Sequence, residues 1–332
     1  MAEIPVAITF PVAPEVVADI AAGDPRVRIL DFPAAALRAG AELPPDEKAR
    51  ALATIAEAEV AFGPARIPPE FLRAATNLKW FQCIVAGADA LVKEGLVGQH
   101  FVVTNSSGLS AVNIAEYCVA SMLIWSKRLD LAVRQQMEHR WQGRQTGEIM
   151  GKTVGIAGMG AIGRELARRS RAFGMRVIAS RRTIQPGDTD PDCDLLVPHG
   201  ELDTLLRESD YLVLCVPLTP ETHHLIGAAE LARMKPGACL INIARGPVVD
   251  QAALIAALKA ETIAGAILDV TDPEPLPADD PLWDAPNVVI TPHVSGSVEG
   301  YGHRAAEIFL ANLRRYCAGE PLENVVDPVL GY

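Results

Sequence analysis

The sequence has no surplus of positive charge: 41 acidic side chains stand against 30 basic ones, and the formal net charge is −11. A field of that sign repels phosphate backbones, which excludes a nucleic-acid partner. Any anionic ligand must then be held by individually placed arginines. No Cys-x-x-Cys pair occurs. Cys83, Cys118, Cys193, Cys215, Cys239 and Cys317 are scattered, mostly in apolar runs, so buried reduced thiols are expected. No apolar run reaches the length of a membrane span, and no membrane partner is expected. Residues 4–10 read as a strand, with neither the basic start nor the small-residue cleavage site of a leader. A cytoplasmic protein is the expectation. Internal repeats, low-complexity tracts and a metal-ligand set are also missing.

What is present is ordinary globular composition, 49% hydrophobic and 21% charged, over 332 residues. That length exceeds what one core usually fills, so two domains are expected. Residues 1–104 alternate strand signals, at 6–10, 27–31, 60–62, 80–85 and 101–103, with helix signals at 15–22, 48–57 and 68–72. Such alternation predicts a parallel sheet with helices on both faces. A long apolar helix is predicted over 112–127, buried between domains or subunits, followed by an exposed polar arm over 128–147.

The chain is organised around Thr153-Val154-Gly155-Ile156-Ala157-Gly158-Met159-Gly160-Ala161-Ile162-Gly163. A short apolar run ends in Gly-x-Gly-x-x-Gly, and a helical pattern follows with Leu166, Ser170 and Phe173 on one face. Gly158 permits the turn, Gly160 lets backbone approach a pyrophosphate, and Gly163 lets helix and strand pack closely. The N–H groups at the helix start face the phosphates. A second strand at 174–180 completes the context that dinucleotide binding demands. Further strands are predicted at 210–217, 239–243, 265–269 and 288–291, and a terminal helix over 305–319. Several of these strands are solidly apolar, as expected when both sheet faces are covered. Pro217, Arg245, Asp269 and His293 fall at strand C-terminal ends, the ligand edge of an open α/β sheet.

Four patterns now stand together: Gly158-Met159-Gly160-Ala161-Ile162-Gly163, Asn242-Ile243-Ala244-Arg245-Gly246, the run from Asp269 through Glu274 to Pro277, and Pro286 to His293 ending in Thr291-Pro292-His293. In this order the chain resembles the D-isomer-specific 2-hydroxyacid dehydrogenases, over nearly its whole length. The resemblance implies an α/β fold of two doubly wound parallel-sheet domains. A Rossmann nucleotide-binding domain, 105–296, is inserted in a flavodoxin-like substrate domain, 1–104 and 297–332.

The activity implied is reduction of a small 2-keto acid, of glyoxylate or hydroxypyruvate type, to the D-2-hydroxy acid. Arg245 offers a bidentate, permanently charged fork for the substrate carboxylate. His293 is the proton donor by similarity, and histidine titrates in the useful range. Alone, His293 could be a satisfied core residue. Glu274 hydrogen-bonded to the ring would hold its tautomer and support its charged form. The resemblance also places Ala86 and Gly87 in the loop whose N–H groups hold the substrate carboxylate. Asp269 helps to position the nicotinamide. Along the cofactor it adds Cys215, Val216, Pro217, Thr222, Ile243, Ala244, Ser295 and Gly296 to the glycine loop. Trp141, in the arm, and Trp283 are candidates for the pocket wall, with interface packing as the alternative. A homodimer through 112–147 is expected.

The acidic residue that holds a ribose 2′-hydroxyl, expected about 20 residues past the glycines, is missing. Ser180-Arg181-Arg182 stands there instead. Two guanidiniums and a hydroxyl suit a 2′-phosphate, so NADP(H) is the preferred cofactor and NAD(H) remains possible. Other readings share the frame. The His293–Glu274 pair argues against a formate-oxidising type. A phosphite-type dehydrogenase keeps such a pair, and a nucleotide-sensing binding protein would not need it. A methyltransferase reading finds no support in the later motifs.

Overall fold

The computed structural model describes residues 2–33, 44–184 and 187–332. The chain divides into two compact units, Met1–Leu109 with Glu299–Tyr332, and Ser110–Val298. The junctions fall after Leu109 and Val298 rather than after residues 104 and 296. Residues past 104 stay with the first unit because their backbone is tied there. The Asn105 N–H donates to Asn324 O at 3.0 Å and the Ser106 N–H to Val85 O at 3.1 Å.

The first unit alternates β1 (Ile4–Ile8), α1 (Pro14–Ala22), β2 (Val27–Leu30), α2 (Pro45–Glu57), β3 (Val60–Gly63), α3 (Pro69–Ala74), β4 (Trp80–Cys83), α4 (Asp89–Lys93) and β5 (Val102–Thr104). Proline opens α1, α2 and α3, where its missing N–H removes no hydrogen bond. The strands pair in parallel in the order β2-β1-β3-β4-β5. That is the flavodoxin-like order. The returning helix Tyr301–Ala318 sets Phe309 against Phe62 and Trp80, with ring centroids 4.5 and 5.1 Å apart.

The second unit holds α5 (Ala111–Lys127), α6 (Leu129–Met137), β6 (Thr153–Ala157), α7 (Ala161–Ala172), β7 (Arg176–Arg181), β8 (Leu195–Pro198), α8 (Leu202–Glu208), β9 (Tyr211–Leu214), α9 (Ala228–Leu231), β10 (Cys239–Asn242), α10 (Gln251–Lys259), β11 (Gly265–Leu268) and β12 (Val288–Ile290); the returning helix of the first unit is α11. All strands of its sheet run parallel, in the order β12-β11-β10-β9-β6-β7-β8. The order reverses between β6 and β9, and a doubly wound sheet binds its ligand at that crevice. Strands β6, β9, β10 and β11 are buried throughout.

One local expectation is corrected. Phe173 is exposed rather than buried beside Leu166 and Ser170, because α7 ends at Ala172 and its backbone turns away. The polar arm is exposed as expected, and α6 occupies its first half, with Leu129, Val133 and Met137 exposed. In α5 one face is buried within the chain, through Ala115, Cys118 and Met122, and Val112, Glu116 and Ala120 are exposed in the single chain. All six cysteines are free; Cys83, Cys118, Cys193 and Cys239 are buried, and Cys215 and Cys317 half-buried. Among the described residues no helix is long and apolar enough to cross a membrane.

Candidate active site

The C-terminal ends of β10, β11 and β12 are neighbours, since Asn242 pairs with Leu268 and Leu268 with Ile290. Three loops leave those ends. The first is shaped by Asn242, a polar side chain buried at the end of an apolar strand. Its Oδ1 accepts from the Ala244 N–H at 3.0 Å and its Nδ2 donates to Arg245 O at 3.0 Å. This amide bridge holds the turn that carries Ile243, Ala244 and Arg245. Arg245 is half-buried, and its guanidinium donates to Ala244 O at 2.7 Å.

Gly246 follows. A β-carbon there would lie 1.9 Å from Thr271 O, so the first loop packs directly on the second. In the second loop the Thr271 N–H donates to Glu274 Oε1 at 3.2 Å, and the Thr271 hydroxyl to Pro273 O at 2.9 Å. The other oxygen of Glu274, Oε2, lies 2.9 Å from Nδ1 of His293 on the third loop. One carboxylate is thus fixed by backbone on one side and fixes an imidazole on the other. The ring's Nε2 is left for chemistry, and the ring is 49% exposed.

His293 sits at φ 53°, in the left-handed region. Such a conformation persists only where its surroundings impose it. Asp269 imposes it here. Its backbone carbonyl accepts from the His293 N–H at 2.9 Å. Its Oδ1 accepts from the Val294 N–H and its Oδ2 from the Ser295 N–H, both at 2.9 Å, and the Thr291 hydroxyl also donates to Oδ1. The Asp269 side chain is therefore a buried loop cap. Ser295 and Gly296 are in turn held by α5 and the turn before it: Asn113 Nδ2 donates to Ser295 O at 2.6 Å and Ser110 Oγ to Gly296 O at 2.8 Å.

The glycine loop fits a dinucleotide. Gly158 has φ 110°, and a β-carbon on it would lie 2.8 Å from Cys215 O across the β6–β9 crevice. Gly163 lies against Gly158 O. A β-carbon on Gly160 would meet no protein atom within 4 Å, so protein packing does not require a glycine there; the open space suits an approaching phosphate. The start of α7 has no side-chain cap and no acidic residue in its first turn, which leaves its N–H groups to an anion. Met159 is buried, Ala161 exposed and Ile162 half-buried.

At the end of β7 the Ser180 carbonyl accepts from the Gly158 and Met159 N–H groups at 3.2 and 2.8 Å, and its buried hydroxyl has no partner. Arg181 lies 3.8 Å from Asp188 and 3.7 Å from the buried Asp190, which also pairs with Arg164 at 2.7 Å. Arg182 is exposed. Val216 is buried and Pro217 exposed. Thr222 is used inside its own loop: its hydroxyl donates to Pro217 O at 2.6 Å and accepts from the Thr219 N–H at 2.7 Å.

Ala86 and Gly87 belong to the first unit. Asn105, 5% exposed, donates from Nδ2 to Ala86 O at 2.8 Å and steadies their loop. Trp141 is fully exposed; Trp283 is half-exposed, and its indole N–H donates to Pro277 O at 2.8 Å. The sequence reading missed Asn242, Thr271, Thr291 and Asn105 as supports. Asn242 and Thr291 carried a signal, being polar residues closing apolar strands a few positions before Arg245 and His293.

Residues 119–295 match the family described as D-isomer specific 2-hydroxyacid dehydrogenase, NAD binding domain. The chain is 38% identical over 284 residues to a glyoxylate/hydroxypyruvate reductase B of Pectobacterium carotovorum subsp. carotovorum, covering 84% of this chain and 87% of the relative. It is 38% identical over 270 residues to a glyoxylate reductase of Korarchaeum cryptofilum, covering 79% and 80%. Among solved structures, a D-isomer specific 2-hydroxyacid dehydrogenase from Xanthobacter autotrophicus in complex with NADPH and MES aligns with a TM-score of 0.82 at 32% identity, over 100% of both chains.

Proposed function

Because the chain belongs to the D-isomer-specific 2-hydroxyacid dehydrogenase family, we propose that it reduces a small 2-keto acid of glyoxylate or hydroxypyruvate type to the D-2-hydroxy acid with NADPH. The observation that carries the reading is the His293–Glu274 pair, held beside the Arg245 turn by the Gly246–Thr271 contact. The nicotinamide supplies a hydride to the carbonyl carbon. His293 gives a proton to the carbonyl oxygen, and Glu274 keeps Nδ1 protonated so that Nε2 faces the substrate. Arg245 pairs with the carboxylate and fixes which face of the carbonyl is presented. The glycine loop and the start of α7 hold the pyrophosphate, and Arg181 and Arg182 hold the 2′-phosphate. NADH binds without that last contact and is the poorer cofactor. The unit built from both chain ends is the proposed substrate domain, with Ala86 and Gly87 as its candidate substrate-binding loop.

The same reading includes a homodimer through residues 112–147. In support, Leu129, Val133, Met137 and Trp141 stand exposed on and beyond α6, a costly apolar display for a lone chain. Light scattering at working concentration tests it, a monomeric mass being the adverse result. The protein works in the cytoplasm, a reducing compartment suited to its six free cysteines. A panel of 2-keto acids assayed by loss of NADPH absorbance tests the reaction. Turnover of glyoxylate or hydroxypyruvate is expected; binding of NADPH without turnover of any keto acid would mark a nucleotide sensor instead.

A further inference from the structure

We infer that Tyr117, on α5, is a positioning residue for His293, acting through a half-buried chain of hydroxyls that ends on the buried Asp269. Three contacts build the chain. Tyr117 Oη lies 2.7 Å from Thr291 Oγ1. The Thr291 hydroxyl donates to Asp269 Oδ1, which also accepts the Val294 N–H at 2.9 Å. Threonine has a single hydroxyl proton, and it goes to the carboxylate, so the donor in the first pair is Tyr117. Burial pushes the Tyr117 phenol up to about 12, which keeps that proton in place at any working pH.

The consequence follows from what Asp269 does. Its carboxylate holds the two backbone N–H groups immediately after His293, a residue in a conformation it does not adopt unaided. Without the Tyr117 proton, the Thr291 hydroxyl can rotate and donate elsewhere. Asp269 then loses one of its side-chain donors, and the turn at His293 widens its excursions. Tyr117 touches none of the proposed reacting groups. Its effect belongs to the rate of proton delivery, while Arg245 and the glycine loop are held by separate contacts.

This inference rests on the reading of His293 as proton donor, and two independent measurements separate the fates of the two. The first is amide hydrogen exchange at Val294 and Ser295 in the full-length protein. Tyr117→Phe keeps the ring and removes the hydroxyl; exchange there is expected to quicken about three- to tenfold, the scale of one neutral hydrogen bond. The second is steady-state reduction of glyoxylate. The kcat is expected to fall by a similar factor, about three- to tenfold, with the KM for glyoxylate and the Kd for NADPH unchanged. Thr291→Val is expected to give the same losses, and the double variant no more than either alone. Wild-type exchange and kcat in Tyr117→Phe, or losses that multiply in the double variant, overturn the inference. His293→Asn with full activity overturns the proton-donor reading instead, whatever the exchange rates show.

Discussion

The carbonyl of Thr271 stands over the α-carbon of Gly246 so closely that a methyl group on Gly246 would lie 1.9 Å from its oxygen. This contact locks the turn carrying Arg245 to the loop carrying Glu274. Gly246→Ala must push the two apart. The expected cost is about 1–3 kcal/mol of stability, seen as a lowered Tm. A displacement on the scale of an ångström between reacting groups also lowers kcat about a hundredfold. Binding of NADPH, whose proposed pyrophosphate site lies on β6 and α7, should be much less affected.

His293→Asn removes the proposed proton donor and retains a side chain that tolerates the left-handed backbone. The kcat for reduction is expected to fall by about 10²–10⁴, with the fold intact by circular dichroism. Glu274→Gln keeps the size of the residue and should lower kcat in the same direction with little change in the KM for the keto acid.

Arg181→Ala is expected to weaken NADPH about ten- to a hundredfold and leave NADH unchanged, measured by fluorescence titration of each. Alanine is the better probe than aspartate here. Asp188 and Asp190 already lie 3.8 and 3.7 Å from the guanidinium, and a third carboxylate would disturb that cluster for reasons unrelated to the cofactor. Equal losses for both cofactors would remove Arg181 from the 2′-phosphate site.

Burial pushes the thiols of Cys83 and Cys215 up to about 12, and those of Cys118 and Cys239 also well up. The thiolate is the reactive form, so at pH 8 these groups remain neutral and shielded. A disulfide reagent is expected to leave these four cysteines unmodified in the folded protein and to titrate all six after denaturation. Rapid native reaction at Cys215 would contradict its placement behind the glycine loop.

The sheets were legible because parallel strands covered on both faces leave solid apolar runs, and β6, β9, β10 and β11 are buried throughout. Arg245 and His293 were legible because each follows such a run. Less visible were the parts made by contacts distant in sequence. Nothing local marks Thr271 as the ceiling of Gly246, or Tyr117 as a neighbour of Thr291, 174 positions away. The hydrogen bonds of Asp269 to the His293 loop were also not visible in advance. Its carboxylate is hydrogen-bonded within its own unit, and a residue's partners cannot be read from its position at a strand end. Strand β8 was missed although Leu195-Leu196-Val197 is an apolar run; it lies at the sheet edge and is only partly buried.

The left-handed backbone at His293, with φ 53°, has a consequence for how this site can change over generations. Few residues other than glycine, asparagine, aspartate and histidine itself rest there with little strain. A β-branched or bulky replacement would damage the turn as well as the chemistry. Drift at this position is therefore confined to a narrow set of polar or small side chains. A descendant that lost the reaction through this residue would be expected to keep the loop, because Asp269 and not the imidazole holds its backbone.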